Sequence, residues 1–278
     1  MQQADIRRQW EDAAPGWARW EASISAWMEP ATAAMLAMAG IDTGDRVLDL
    51  ACGAGSQTLE AASLVGPPGH VVANDISDTM LHHVLENARA AGMSNVSGLA
   101  GAAEDLDMAA ESFDAVICRL GLMLFGEPAR ALAAVRRALL PGGKVSVVVF
   151  TTPAANAFMA QPMQILLRHA GKPLPGPGQP GIFALGAPGA LVQLLVDSGF
   201  VGVEQRSVAL QLSMSSAAQA LTMMQEAFGA YRAVVNDRPE AVKAAAWEDV
   251  AELLKHFETP TGFVAPTEVL VAAGAKPA

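Results

Sequence analysis

The chain is poor in several features that would mark large classes of protein. It has 2 cysteines in 278 residues, too few for a disulfide framework. Cys52 and Cys118 each follow an apolar run, so both are expected as buried free thiols in a reducing cytoplasm. Positive charge is scarce: 18 Lys and Arg stand against 28 Asp and Glu, a formal net charge of −10, and no Lys/Arg cluster occurs. Such a chain offers no favourable field to a polyphosphate, so nucleic acid is not an expected partner. No run approaches the roughly 20 apolar residues of a membrane span. The start, MQQADIRRQWEDAAPGW, holds charges and tryptophans where a secretory signal needs an apolar stretch. A soluble, cytoplasmic protein is expected. No internal repeat is present, and His82-His83 lack the third ligand a metal site would need.

What is present is ample core material: 52% of residues are hydrophobic and 17% charged, which argues for a packed globular fold. Residues 45–150 alternate short β-branched runs with alanine-rich helical stretches. Strands are expected at 46–50 (RVLDL), 70–74 (HVVAN), 95–99, 113–118 (FDAVIC) and 144–150 (KVSVVVF). Helices are expected at 57–64, 79–91 and 129–140, the last stopped by Pro141-Gly142-Gly143. This alternation implies βαβ units and a parallel sheet covered on both faces. Beyond Phe150 the pattern breaks into a helix at 157–170, a proline- and glycine-rich loop at 171–181, a helix at 187–198, a strand at 200–205, two helices within 215–258 parted near Pro239, and a last strand at 262–272. The expected division is a helical, tryptophan-rich cap segment (1–40), a ligand-binding core (41–150), an insertion (151–182), and the rest of the sheet (183–278) with a helical cap insertion near 213–260. Both additions would fold over the carboxyl ends of the strands, where open α/β sheets bind ligands.

The strongest chemical signal is VLDLACGAG, residues 47–55. It sets an acid at the end of the first strand and a small-residue turn before a helix. Gly53 and Gly55 allow close backbone approach and φ values closed to other residues, and the helix that follows presents free N–H groups. A dinucleotide fold uses such a turn for pyrophosphate with G-x-G-x-x-G spacing. Here Thr58 stands at the third position, and the carboxylate of Asp49 would repel a pyrophosphate. It suits a cation instead, such as the ammonium or sulfonium of S-adenosylmethionine.

These residues resemble the class I S-adenosylmethionine-dependent methyltransferases, in the branch similar to the ubiquinone/menaquinone-biosynthesis C-methyltransferases. The resemblance covers residues 45–150 well and 263–272 more loosely. It implies an α/β fold: a doubly wound, seven-stranded, mostly parallel sheet of Rossmann-like kind, capped by the helical additions. It gives Asp49, Ala51, Gly53 and Gly55 the methionine part of the cofactor. Asp75, in NDIS, takes the ribose hydroxyls, with Ile76 and Met80 flanking the adenine. Gly101-Ala102-Ala103-Glu104 resembles a segment bracketing the adenine edge, but Ala102 stands where the family often has aspartate, so the exocyclic amine loses its usual acceptor unless Glu104 or a carbonyl replaces it. The Ala103 N–H would still donate to the ring. Arg119 would reach the cofactor carboxylate or a substrate anion, its alternative being a surface ion pair. Trp17 and Trp20 resemble an N-terminal helix closing over the cofactor.

A base for methyl transfer would have to come from the additions, where the candidates are His169, Tyr231, Glu226 and His256; none lies in a motif. Met159, Met163, Met214, Met223 and Met224 suggest either a greasy acceptor pocket or ordinary core filling. The expected function is methyl transfer to a small, lipophilic organic molecule of secondary metabolism at carbon or oxygen, with S-adenosylhomocysteine as product. Two alternatives stand beside it: a methyltransferase-like protein that holds the cofactor without transfer (a pericyclase, isomerase or scaffold), and a nicotinamide-dependent oxidoreductase. The expected partner is the small-molecule substrate, and a homodimer is compatible with the sequence.

Overall fold

A computed structural model describes residues 3–176 and 179–278. Met1 and Gln2 of the expected cap segment, and Pro177 and Gly178 of the expected proline-rich loop, lie outside the described residues. The first half alternates as read: β1 (Arg46–Leu50), α2 (Ser56–Val65), β2 (His70–Asp75), α3 (Asp78–Ala90), β3 (Val96–Ala100), β4 (Phe113–Arg119), α4 (Pro128–Ala138) and β5 (Leu139–Phe150), preceded by one long helix α1 (Gln3–Ala39). The second half holds α5 (Ala157–Ala170), α6 (Ala190–Asp197), β6 (Val201–Met214), α7 (Ala217–Ala227), α8 (Gly229–Val235), α9 (Glu240–Leu254), the two-residue β7 (Glu258–Thr259) and β8 (Gly262–Ala275).

The sheet order is β3-β2-β1-β4-β5-β8-β6, with β7 hydrogen-bonded to β8 off that path. Strands β1 to β5 are mutually parallel, while β8 runs antiparallel to both β5 and β6. The doubly wound, mostly parallel architecture is therefore as expected. The middle strands β1, β4 and β5 carry fully buried Val47, Leu48, Val116, Ile117, Val148 and Val149, the continuous apolar pattern of strands covered on both faces.

Three boundaries depart from expectation for physical reasons. Helix α4 stops at Ala138 because Pro141 disfavours helical backbone just before it, and Leu139 instead pairs with Phe113 as β5 begins. Strand β6 runs on to Met214, since the larger apolar Val208, Leu210, Leu212 and Met214 alternate with exposed Ala209, Gln211 and Ser213 and pair along β8. The expected helix pair within 215–258 is three helices. An extra break falls at Phe228 (φ −88°, ψ 78°), where Gly229 passes close enough to α1 that an added Cβ would sit 3.1 Å from Ala13 Cβ.

Helix α1 is 37 residues long and contains Pro15 and Pro30. At 1.5 Å per residue a straight helix of that size spans about 55 Å, more than the roughly 30 Å width of seven strands. Its buried stripe, Ile24, Trp27, Met28, Ala31, Ala34, Met35 and Ala39, keeps the three- and four-residue spacing of one helical face. That face packs across β4, β5, β8 and β6, and other parts of α1 touch α2, α3, α7 and α8. Trp27 is the knot: its indole N–H donates to Thr267 Oγ1 at 2.9 Å, and its ring lies 6.0 Å from Phe150, 6.2 Å from Phe158 and 6.5 Å from Phe228.

The approach of α1 to α7 is closest at Gly16, where an added Cβ would fall 2.0 Å from the Glu226 carbonyl oxygen. Helix propensity alone would have Gly16→Ala stabilise by about 1 kcal/mol. The clash is with backbone, and overpacking of this sort costs about 1–3 kcal/mol or more, so the clash wins. Urea denaturation should show a lower midpoint for Gly16→Ala than for the parent; a higher midpoint would mean that α1 does not press on α7 there.

Candidate functional site

The sheet order reverses between β1 and β4: the chain leaves β1 towards β2 and β3, and reaches β4 and β5 on the other side. Open α/β sheets have a crevice at such a switch point, outside the carboxyl ends of the strands. A cavity of about 430 Å³ opens there, within the roughly 300–1,000 Å³ of small-molecule sites.

Its floor is strained backbone. Ala51 (φ 53°) follows β1 and Leu120 (φ 62°) follows β4, both in the left-handed region although neither is glycine. Such outliers persist where surrounding structure enforces them, and cluster at ligand sites. Here the enforcement is packing: a Cβ on Gly121 would lie 2.6 Å from Ala51 Cβ, so the two turns meet only because Gly121 has none. Gly53 (φ 57°) lies on the cavity wall, and its N–H donates to Asp75 Oδ2 at 3.0 Å. Gly55 (φ 97°) has the left-handed backbone expected of it. A Cβ there would lie 2.7 Å from Val84 Cγ2, so this glycine lets α2 seat against α3, and it is not on the cavity wall.

Asp49 also departs from expectation. Its side chain is fully buried and off the cavity wall, beneath the turn. Its carboxylate accepts from Thr58 Oγ1 at 2.6 Å and from Gln57 Nε2 at 3.4 Å. Burial pushes it up to about 7, against the pull of the Thr58 hydroxyl and the Arg119 charge. Asp75 does line the cavity. Its Oδ1 accepts the Ser77 N–H at 2.9 Å, and burial lifts it to about 6 despite the Ser77 and Gly53 donors. A carboxylate has about four lone-pair sites, so acceptor capacity remains after these two bonds.

Arg119 is buried rather than the surface ion pair weighed from sequence. It lines the cavity, and its guanidinium donates to Thr32 Oγ1 at 2.9 Å and Ser56 Oγ at 2.8 Å. Among the described residues it makes no salt bridge. Burial lowers its pKa, with Asp49, Glu60 and Glu21 opposing. Five N–H donors against two hydroxyl partners leave donors to spare.

Ile76, Met80, Ala102, Ala103 and Glu104 lie together at the β2–β3 end of the cavity. Trp17 is on the wall beside Trp10, ring centroids 6.5 Å apart. Trp20 is elsewhere, its indole N–H bound to Glu226 Oε2 at 2.6 Å.

None of the candidate bases is placed to take a proton in the cavity. His169 is tied to Asp249 at 2.8 Å between α5 and α9. Glu226 receives Arg19 and Trp20, and His256 is exposed, against the Leu253 carbonyl. Tyr231 lines the cavity, but its hydroxyl donates to the Met159 carbonyl at 2.7 Å and burial raises its pKa strongly. Of the methionines, Met159 lines the cavity, whereas Met223 and Met224 are core.

The sequence reading gives Gln57 no part in the site. Gln57 follows the glycine turn at the second position of α2, and its amide donates to the Cys52 carbonyl at 2.9 Å. Among the described residues, Gln57 Oε1 and Trp17 Nε1 are buried polar atoms without a partner, both on side chains of the cavity wall. No group of three or more His, Cys, Asp or Glu among the described residues is arranged to hold a metal.

Raising a buried acid has a sign. With Asp49 at about 7 in the folded protein and near 4 unfolded, the folded state binds the extra proton between those values. Stability then falls as pH rises through that window and is lowest above it. Asp49→Asn removes the penalty, worth on the order of a few kcal/mol at roughly 1.4 kcal/mol per unit. The variant should out-stabilise the parent at pH 8 and lose most of that margin at pH 5, by urea midpoints. A less stable variant at pH 8 would mean the carboxylate is not held in a desolvated site.

Comparison with known proteins agrees with this geometry. Residues 41–165 match the methyltransferase domain family. A ubiquinone/menaquinone biosynthesis C-methyltransferase of Pasteurella multocida is 39% identical over 115 residues, covering 41% of this chain and 43% of the relative; the chain thus aligns with less than half the length of that protein. In fold, the YcgJ protein of Bacillus subtilis superposes with a TM-score of 0.60 at 15% identity, covering 90% of this chain and 99% of that one. The cyclase SpnF superposes at 0.54 with 20% identity, covering 90% and 80%. Residues 41–165 are therefore similar to the methyltransferase domain family, in a chain whose fold is the doubly wound, Rossmann-like one.

Proposed function

We propose that the protein is an S-adenosylmethionine-dependent methyltransferase acting on a small, lipophilic organic molecule. The observation that carries this reading is the Asp75 carboxylate: buried, fixed by two backbone N–H groups, and facing the cavity at the end of β2.

The residues present fit the cofactor. With Asp49 and Asp75 as acids and Arg119 as cation, the site has an excess of negative charge, suited to a ligand with two cationic groups and one carboxylate. Asp75 would accept from the ribose hydroxyls. Spare Arg119 donors would take the carboxylate. Ala51 and Gly53 would lie along the methionine part, with Asp49 acting from beneath through the field and through Gln57. Ile76 and Met80 would flank the base, and Trp17 offers an indole face to a cation, worth on the order of 1 kcal/mol. When bound, the cofactor supplies an electrophilic methyl group.

On the acceptor side the wall is apolar: Ile24, Trp27, Phe150, Met159 and Phe228. These residues would exclude water and orient an apolar acceptor, contributions that lower a displacement barrier without proton transfer. Since the Tyr231 hydroxyl is spent on Met159, the acceptor must carry its own activated carbon or acidic hydroxyl. The net charge of −10 supports a small molecule over nucleic acid. That none of His169, Glu226, His256 and Tyr231 is free in the cavity also favours a second reading, cofactor binding without methyl transfer.

Calorimetric titration of the full chain with S-adenosylmethionine and then S-adenosylhomocysteine tests the proposal. Both should bind, and Asp75→Asn should weaken both about tenfold, as expected for hydrogen bonds to a charged group. No binding, or an isotherm unchanged by the substitution, would overturn it. S-adenosylhomocysteine released on incubation with lipophilic phenols and enols, with a matching mass gain in one of them, separates transfer from the second reading.

A further inference from the structure

We propose that the β6 edge of the sheet is the interface of a two-fold dimer: β6 pairs antiparallel with β6 of a second copy, and Glu204 of each chain faces Arg206 of the other. No residue of β6 lines the cavity, so this surface is independent of the ligand site.

The two edges of the sheet are unlike. At one, β3 is 5 residues long, the short strand that proteins commonly leave at an edge. At the other, β6 is 14 residues long. Among the described residues β6 pairs only with β8, so its outer backbone N–H and C=O groups have no strand opposite them. The usual guards of such an edge are few. Val201–Met214 holds no lysine and no proline, and the one irregularity in its pairing falls near its start, between Val201 and Glu204. From Ser207 to Met214 there is no charge at all. A long edge of this kind is a template for another strand.

Charge names the second copy as the occupant. Glu204 and Arg206 are exposed, and being two apart they share one face of the strand. Among the described residues neither makes a salt bridge. Arg206 gives one N–H to the Ala34 carbonyl of α1 at 3.2 Å, which leaves it donors to spare. A two-fold axis through Gln205 sets Glu204 directly opposite Arg206 of the second copy, twice over, as a self-complementary interface requires. The pleat allows register shifts only in steps that keep each side chain on its face. The next register one way sets Glu204 against Glu204, and the next the other way sets Arg206 against Arg206, both disfavoured; larger shifts leave the two charges unpaired. A strand pair alone is narrower than the roughly 1,600 Å² that a stable interface buries, and apolar surface beside it supplies the rest. Val196 of α6 and Val201 are half exposed, and Pro30, Ala33 and Ala34 of α1 line a groove of about 550 Å³ with Arg206 and Val208.

Analytical ultracentrifugation of the full chain reads the association directly. At micromolar concentration the parent should sediment at twice its 28.8 kDa mass. Glu204→Arg and Arg206→Glu each set like charges opposite one another in two places, and each should weaken the dimer tenfold or more. Combining them exchanges the partners and should restore the parent's association, which separates lost pairing from lost folding. Gln205→Cys tests the register. On the axis its two Cα atoms would stand about 4.5–5.5 Å apart, which suits a disulfide, and both native cysteines are buried. Mild oxidation should therefore link Gln205→Cys chains in pairs. It should leave Ala209→Cys chains unlinked, since those Cα atoms would be about 26 Å apart. A parent that stays at the mass of one chain, a dimer indifferent to either charge reversal, or a link at Ala209→Cys in place of Gln205→Cys overturns the proposal.

Discussion

The carboxylate of Asp49 is fully buried and held by a hydroxyl and an amide, with no salt bridge among the described residues. That constraint organises the end of the sheet where ligands would bind. An acid in such a place is costly to ionise, and what keeps it serviceable is the turn around it. Thr58 and Gln57 sit in the first turn of α2, so the helix can start only where it does. Gly55 must then lack a side chain for α2 to reach α3, and Gln57 uses its amide to tie the Cys52 carbonyl back onto the same acid. Arg119 lies close enough to stabilise the charge without pairing it. The burial of Asp49 is thus an unfavourable desolvation that a cationic ligand would relieve.

The second constraint is α1, which closes the crevice by crossing the sheet rather than by capping it locally. Trp27 ties it to β8 and to the aromatic cluster, Gly16 lets it press on α7, and Glu226 receives both Arg19 and Trp20. Further along, Glu11 accepts the first N–H groups of α3, a carboxylate on a helix N-terminus where the dipole favours it. The same helix that supplies Trp10 and Trp17 to the cavity is therefore fastened on both sides of it.

The parallel half of the sheet was legible because each strand is a short β-branched run and each helix an alanine-rich one, so the two periods never compete. The position of the glycine turn at a cavity was legible, but not which of its residues line it. Asp49 and Ala51 are two apart, yet the chain leaves the strand at Ala51 with φ 53°, so strand alternation no longer says where either side chain goes. Gly53 and Gly55 look equivalent on paper and differ only in their neighbours, Trp17 for one and Val84 for the other. Long-range partners of this kind leave no local trace. The extension of β6 was different: Val208, Leu210, Leu212 and Met214 alternate plainly, and the signal was in the residues. Tyr231 marks the limit for chemistry, because a tyrosine in sequence carries no sign that its hydroxyl will be spent on a backbone carbonyl.

That last contact shapes what the site can do. A cavity with acids and an arginine at one end and aromatic rings at the other separates two tasks, holding a charged ligand and excluding water from an apolar one. None of the four candidate bases from the additions serves either end. Tyr231 cannot donate a second time or ionise in its apolar surroundings, and His169, Glu226 and His256 are engaged outside the cavity. On the reading proposed above, the reactivity would reside in the acceptor: an enolisable carbon, or a hydroxyl acidic enough to ionise as it reacts. The protein's share would then be position and dehydration, which α1 and the apolar wall around Trp27 are suited to supply.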